Sequence, residues 1–295
     1  MRTWLSGVAG LILAGSAAAQ PAAPPGPDRL WAPLEAEVTR IAGRFDGVLG
    51  VTIKDLTDGR TFALNADVVM PTASMIKIAV LGELYRQGKQ GERYRVDAAD
   101  ALPGDDILSR LTPGVTELTW RDVAVMMVAV SDNSATNVLI DRLGMAAINR
   151  TLESIGLRST RLNRRMLDLA AAKAGRENVA TPREMVQLLE AIHRGQVVPT
   201  DRLPDFLGVL GMHKEGYLNA RLPEGTPLAN KPGWLDGVRT DAALGLPPGR
   251  PFAICVMTTF GADDRAAEAA IAEIGERAWR FFERLGRSSP HGRRM

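Results

Sequence analysis

A chain of 295 residues with 36 basic and 34 acidic side chains carries a formal net charge of only +2 at pH 7, and 45% of it is hydrophobic. That balance leaves no basic footprint for nucleic acid or for a strongly charged membrane surface, and the length suits one large domain or two lobes around a substantial core. The single cysteine, Cys255, excludes an intrachain disulfide framework; it lies in the apolar run PFAICVMTTF and reads as a buried, inert thiol.

In chain order, Met1-Arg2 gives a short positive start, Trp4 to Gly15 is an apolar run too short to span a bilayer, and SAAAQ offers an A-x-A site. These features predict a secretory signal, residues 1–19, removed after Ala19, with a mature form that is periplasmic and has no membrane span. The Pro-rich QPAAPPGPD, residues 20–28, reads as an extended leader. LEAEVTRIAGRF places Leu34, Val38, Ile41 and Ala42 on one helical stripe, and GVLGVTIKDL, TDGR and TFALN follow as a hairpin turning at Asp58-Gly59. From Ser74 to about His193 the periodicity is helical, and the last helix of that block opens with Thr181, Pro182 and Glu184, a capping box with proline at the first helical position.

Past Leu222 the pattern returns to strands in PLANKPGWL, VRTDAALGL and PFAICVMTTF, and a helix from about Asp263 to Leu285 closes the chain. The order predicts an α+β fold. A five-stranded antiparallel sheet is flanked by the terminal helices in a discontinuous α/β domain, 29–66 and 205–287. An all-helical domain, 67–204, is inserted, and residues 288–295 form a flexible tail.

Ser74 is the only serine with a lysine, Lys77, three residues on; with ten serines and six lysines, chance gives about 0.2 such pairs. On a helix the two share a face, so the amine reaches the hydroxyl, and a free N-terminal N–H favours developing negative charge. Such a pair activates a nucleophile without histidine. Alone, it is equally an N-cap serine before a surface lysine.

Two further stretches supply the rest of an acyl-transfer site. AVSDNSATN presents Ser131, Asp132 and Asn133 after an apolar helix, and LANKPGWLDGVRTD presents Lys231 and Gly233 in a strand. A hydroxyl to relay a proton, an amide to orient the substrate and a second cation for a carboxylate are what such chemistry needs.

With these three motifs in this order, the second 57 residues after Ser74 and the third 100 residues after Ser131, the chain resembles the class A β-lactamases and related penicillin-recognising serine acyltransferases. The resemblance covers nearly the whole mature chain and implies a β-lactamase/transpeptidase-like fold. It further implies Ser74 as the acylated nucleophile, Lys77 as its activating amine and Ser131 as the hydroxyl that passes a proton to the leaving nitrogen. Asn133 would bind the substrate amide, Lys231 its carboxylate, and the N–H groups of Ser74 and Trp234, beside Gly233, would form the oxyanion hole. Asp132 and Asn137 would be structural. Arg239 is either a second carboxylate ligand or a strand-end surface arginine.

Two departures stand out. The third motif reads K-P-G, so Pro232 replaces a hydroxyl-bearing residue; the missing N–H suits an edge strand. In STRLNRRMLDLAAAKAGRENVATP, similar to the family's Omega loop, Met166 stands where a water-activating Glu is expected and Ala170 where its Asn partner is expected. Asn178 replaces the Asp that pairs with Arg164, while Asp168 and Glu177 are the nearby carboxylates.

His193, His213 and His291 lack a nucleophile-elbow context, and no Cys/His or carboxylate cluster has metal-ligand spacing, so no metal or cofactor is expected. The resemblance implies a monomer acting on a small-molecule β-lactam or a peptidoglycan peptide, and the departures at Met166 and Ala170 predict slow deacylation. The alternatives are a D-alanyl-D-alanine carboxypeptidase and a penicillin-binding sensor without turnover.

Overall fold

The computed structural model describes residues 28–104, 106–289 and 291–295. The expected signal segment lies outside them, as does the leader except for Asp28, which opens α1 (Asp28–Ala42). Trp31, Leu34, Val38 and Ile41 are the buried stripe of this helix, at the i, i+3, i+7 and i+10 spacing that a 3.6-residue period requires. The hairpin β1 (Val48–Asp55) and β2 (Thr61–Leu64) follows, with Gly59 in the left-handed region at φ 82°.

The main sheet is completed from the other end of the chain by β7 (Leu228–Leu235), β8 (Val238–Gly245) and β9 (Phe252–Thr259). The strand order is β2-β1-β9-β8-β7, antiparallel throughout. Strands β8 and β9 are buried at every position, because both faces of the sheet are covered. On one face α1 and the final helix α9 (Asp264–Gly286) enclose a core in which Phe252 stacks on Phe282 at 4.3 Å and Trp31 meets Phe281 edge-on at 5.0 Å. On the other lies the helical lobe. The α+β architecture with an inserted helical block is thus as the sequence pattern indicates.

Within the lobe, α2 (Lys77–Gln87) is buried from Lys77 to Tyr85, so its own sequence lacks a polar face. Its one buried carboxylate, Glu83, is satisfied by Arg86, Gln87 and Thr151 at 2.7 Å each. Helices α3 (Trp120–Ala129), α4 (Asn133–Leu143) and α5 (Met145–Ser154) surround it, followed by the short α6 (Leu169–Lys173), then α7 (Pro182–His193) and α8 (Leu203–Leu210). Two small antiparallel pairs interrupt the helical block: β3 (Met70–Pro71) with β6 (Val179–Ala180), and β4 (Arg93–Arg95) with β5 (Glu117–Thr119). Runs of two and three residues leave no readable period, and for that reason the sequence pattern reads as helix throughout this stretch.

The capping box at Thr181 forms only by half. Thr181 accepts from the Glu184 N–H at 3.1 Å, but the Glu184 carboxylate turns away to accept the N–H groups of Arg158, Ser159 and Thr160. Three orphan donors of a tight connection outcompete the single N–H of Thr181. Residues 291–295 return to the end of α9, where the Met295 N–H reaches the Arg287 carbonyl at 2.9 Å.

One glycine fixes how α9 lies on the domain. A methyl group at Gly275 would overlap the Leu218 carbonyl oxygen and sit 2.9 Å from the Leu218 Cα, whereas one at Gly208, in α8, meets nothing within 4 Å. Replacing a helical glycine by alanine ordinarily stabilises by up to about 1 kcal/mol. Gly208→Ala should therefore raise the melting temperature, while Gly275→Ala should lower it by overpacking, at a cost of about 1–3 kcal/mol. Calorimetry on the two variants checks the opposite signs.

Candidate active site

The nucleophile turn is built between two elements that are distant in sequence. After β3, Thr72 donates its N–H to the Asn178 carbonyl at 2.9 Å, and its own carbonyl accepts the Thr240 hydroxyl of β8 at 2.9 Å and the Met75 N–H at 3.1 Å. Ala73 is forced to φ 47°, left-handed for a residue with a Cβ, and Ser74 falls in a 3₁₀ turn, Ala73–Ile76, that runs straight into α2. Ser74 caps nothing: among the described residues its half-exposed hydroxyl has no hydrogen-bond partner. The N-cap reading of the S-x-x-K pair therefore fails, and the expected hydrogen bond from the Lys77 amine to the Ser74 hydroxyl is not formed either, because that amine is taken up by Ser131 and Asn133.

Lys77, the first residue of α2, is fully buried. Its amine donates to the Ser131 carbonyl at 2.6 Å, the Ser131 hydroxyl at 3.1 Å and Asn133 Oδ1 at 3.0 Å. Burial holds its pKa well below the ordinary lysine range, and the charge of Lys231 lowers it further, against the weaker pull of Asp106 and Asp132.

Ser131 occupies the break between α3 and α4 at φ 59°. Asp132 makes that break rigid: one carboxylate oxygen caps α4 at the Ala135 N–H, 2.7 Å away, and the other accepts the Leu108 N–H at 2.9 Å. Lys231, 1% exposed on β7, donates to the Ser131 hydroxyl at 3.1 Å and to the Pro232 carbonyl at 2.9 Å. The Ser131 oxygen thus sits between two lysine amines. With both lone pairs taken, its proton is left to point into the cleft.

Strand β7 can come this close only because residue 233 has no side chain. A Cβ there would lie 2.7 Å from the Ser74 nitrogen, 2.8 Å from the Met75 nitrogen and 2.8 Å from Thr240 Oγ1. Pro232 is opposite Asp241 in register, on the outer strand of the sheet, where a missing N–H breaks no ladder. Trp234 is 67% exposed. Arg239 turns away from the nucleophile and lies 2.8 Å from Glu268 and 2.9 Å from Asp264 of α9. Trp234 and Arg239 border one open cavity of about 1740 Å³ that also takes in Ser131, Lys231, Pro232 and His213, while Ser74, Lys77 and Asn133 lie outside its lining.

Behind β7 lies a buried ionic cluster that no motif announces. Asp241 accepts from the Tyr217 and Leu218 N–H groups at 3.0 and 2.9 Å and from Asn230 at 3.0 Å; burial pushes it up to about 6. Lys214 donates to the carbonyls of Leu210 and Met212, and burial brings it down to about 8. Burial also lowers Lys231, to about 7, with Asp241 opposing and Lys214 adding to the shift. The sequence signal for this cluster is a carboxylate, Asp241, inside a strand and directly before the apolar run AALG of β8.

In the loop between α5 and α7, Asn137 grips the Met166 backbone from both sides, accepting its N–H at 2.8 Å and donating to its carbonyl at 3.1 Å. The Met166 side chain is 7% exposed. Arg164 pairs with Glu177 at 2.9 Å, while Asn178 accepts the N–H groups of Asn163 and Arg164 and donates to the Arg164 carbonyl. Two neighbouring residues thereby share the work of one aspartate. Asp168 is exposed and caps α6 through the Ala171 N–H at 2.9 Å. Both loop carboxylates have structural partners.

Comparison with known proteins agrees with this geometry. The family described as the beta-lactamase enzyme family matches residues 33–282. The chain belongs to the beta-lactamase enzyme family. A "Beta-lactamase" of Streptomyces fradiae is 32% identical over 284 residues, 91% of this chain and 92% of that one. Among solved structures, a β-lactamase from Sphaerobacter thermophilus superposes with a TM-score of 0.74 at 30% identity, over 84% of this chain and 96% of that one. The protein PBP-A, in a variant solved as an acyl-enzyme complex with penicillin G, gives 0.74 at 26% identity over 85% and 97%.

Family membership makes the two lysines the features to test electrostatically. Removing the charge in Lys231→Met should raise the Lys77 pKa, since a like charge beside it disfavours the ammonium. Carbon-13 chemical shifts of labelled lysine, followed against pH, would show the Lys77 midpoint moving upward; an unchanged midpoint would mean that burial alone sets it.

Proposed function

We propose that the chain is an active-site serine hydrolase that opens β-lactams through an acyl-enzyme on Ser74 and releases the acyl group slowly. The observation that carries this reading is the convergence of Lys77 and Lys231 on the Ser131 hydroxyl, with Ser74 in the turn that leads into Lys77. As Ser74 Oγ attacks the lactam carbonyl, its proton passes to the neutral form of Lys77, whose ammonium form burial disfavours. Ser131 delivers a proton to the leaving nitrogen and is reprotonated through the lysines on either side. The N–H groups of Ser74 and Trp234 would receive the oxyanion, a reading supported by the close approach of Gly233, the neighbour of Trp234, to the Ser74 nitrogen. Asn133 orients the substrate amide, and Lys231 is the cation nearest the leaving side.

Release requires a water that loses its proton as it attacks, and a positioned base typically contributes about 10²- to 10⁴-fold. Met166 and Ala170 offer neither a base nor a side-chain hydrogen bond for that water. Glu177 and Asp168 are engaged elsewhere. This favours slow turnover, and with it, as a second reading, a penicillin-binding role in which the acylated form is the working state. The apolar N-terminal segment supports secretion to the periplasm, and among the described residues no helix is long and apolar enough to cross a membrane.

Intact-mass spectrometry after mixing with benzylpenicillin should show one adduct, mapping to the peptide that contains Ser74 and absent from a folded Ser74→Ala variant. An adduct that persists in Ser74→Ala removes the nucleophile assignment. The double variant Met166→Glu with Ala170→Asn should shorten the adduct's lifetime by a factor on the order of 10² or more while leaving its rate of formation unchanged. Acceleration of formation instead would place the missing base in the first step.

A further inference from the structure

The two groups that would grip a substrate carboxylate beside Lys231 are both unavailable. At position 232 the pyrrolidine ring offers no hydroxyl and no N–H. Arg239 has four of its five N–H donors committed: Nε to Glu268, Nη2 toward Asp264, and Nη1 to the carbonyls of Leu235 and Val238. Its side chain is only 10% exposed, held by those two carboxylates, of which Glu268 also lines the cavity. Lys231 spends two of its three N–H groups on the Ser131 hydroxyl and the Pro232 carbonyl. A carboxylate entering here gives up its water for a single free N–H, which is poor compensation for burying a charge. What the wall presents instead is the Pro232 ring and the exposed face of Trp234, both of which suit an uncharged group.

We propose that the leaving-group side of this cleft is built for acyl donors without a carboxylate there, so that neutral esters and amides acylate Ser74 as readily as the corresponding acids. The inference rests on the acyl-serine reading above and concerns its specificity alone. Arg221 and Arg265, exposed cations in the wall of the same cavity, are groups outside the set just described that offer a substitute anchor.

The test compares benzylpenicillin with its methyl ester as acylating agents of the full-length enzyme, with adduct formation followed by time-resolved intact mass. The acid and the ester are expected to acylate wild type at rates within about tenfold of each other, a difference of about 1.4 kcal/mol at most. Pro232→Thr, and separately the double variant Asp264→Asn with Glu268→Gln that frees Arg239, should each shift the ratio toward the acid. Arg221→Ala and Arg265→Ala should each leave it unchanged. A wild-type preference for the acid above about 100-fold overturns the inference while leaving the acyl-serine reading intact, and so does loss of acid acylation in Arg221→Ala or Arg265→Ala. Absence of any Ser74 adduct with either compound overturns both.

Discussion

The site depends on one close approach: an edge strand lying against the turn that carries the nucleophile. At Gly233 β7 lies so close that a Cβ would come within 2.7 Å of the Ser74 nitrogen and 2.8 Å of the Met75 nitrogen, and Thr240 and Asn178 hold the Thr72 carbonyl and N–H. Those contacts join the α/β domain, the helical lobe and the loop between α5 and α7 at a single residue. The strained φ of Ala73 persists because all three overdetermine it. Any displacement of β7 or of that loop would reach Ser74 directly.

Two buried lysines are the electrostatic consequence. Burying an ammonium is costly unless its donors are satisfied, and here Lys77 gives three hydrogen bonds and Lys231 two, with Ser131 accepting from both. Burial pulls their pKa values down, which makes an amine near neutral pH usable as a base. Asp241 and Lys214, behind the strand, adjust the balance in opposite directions. The same desolvation that activates the site makes it intolerant of an unpaired charge, which is why the engagement of Arg239 by α9 bears on specificity.

Much of this was legible in the residues. The S-x-x-K pair, the S-D-N run and the K-x-G strand are local patterns, and their order with the two strand groups indicates the α+β fold. What stayed hidden was long-range pairing. Nothing in VRTDAALG says that Arg239 will meet Asp264 and Glu268, or that Thr240 will support Thr72, because those partners lie 25 residues or more away in sequence. The substitution of Asn178 looks like a loss until Glu177 is seen beside Arg164. Asp168 shows the converse: a carboxylate at a suggestive position turns out to cap a five-residue helix.

If acylation runs through Ser74, Lys77 and Ser131 as proposed, a thioether at Met166 in place of a base predicts two kinetic phases. Rapid-quench measurement of benzylpenicillin opening, with enzyme and substrate at comparable concentrations, tests this directly. The account predicts a burst of one product equivalent per enzyme, followed by turnover slower than the burst by a factor of about 10² or more, with covalent enzyme as the dominant species throughout. Steady turnover from the first cycle, with no burst and no detectable adduct, would contradict it and would require a base other than Met166 to face the acyl-enzyme.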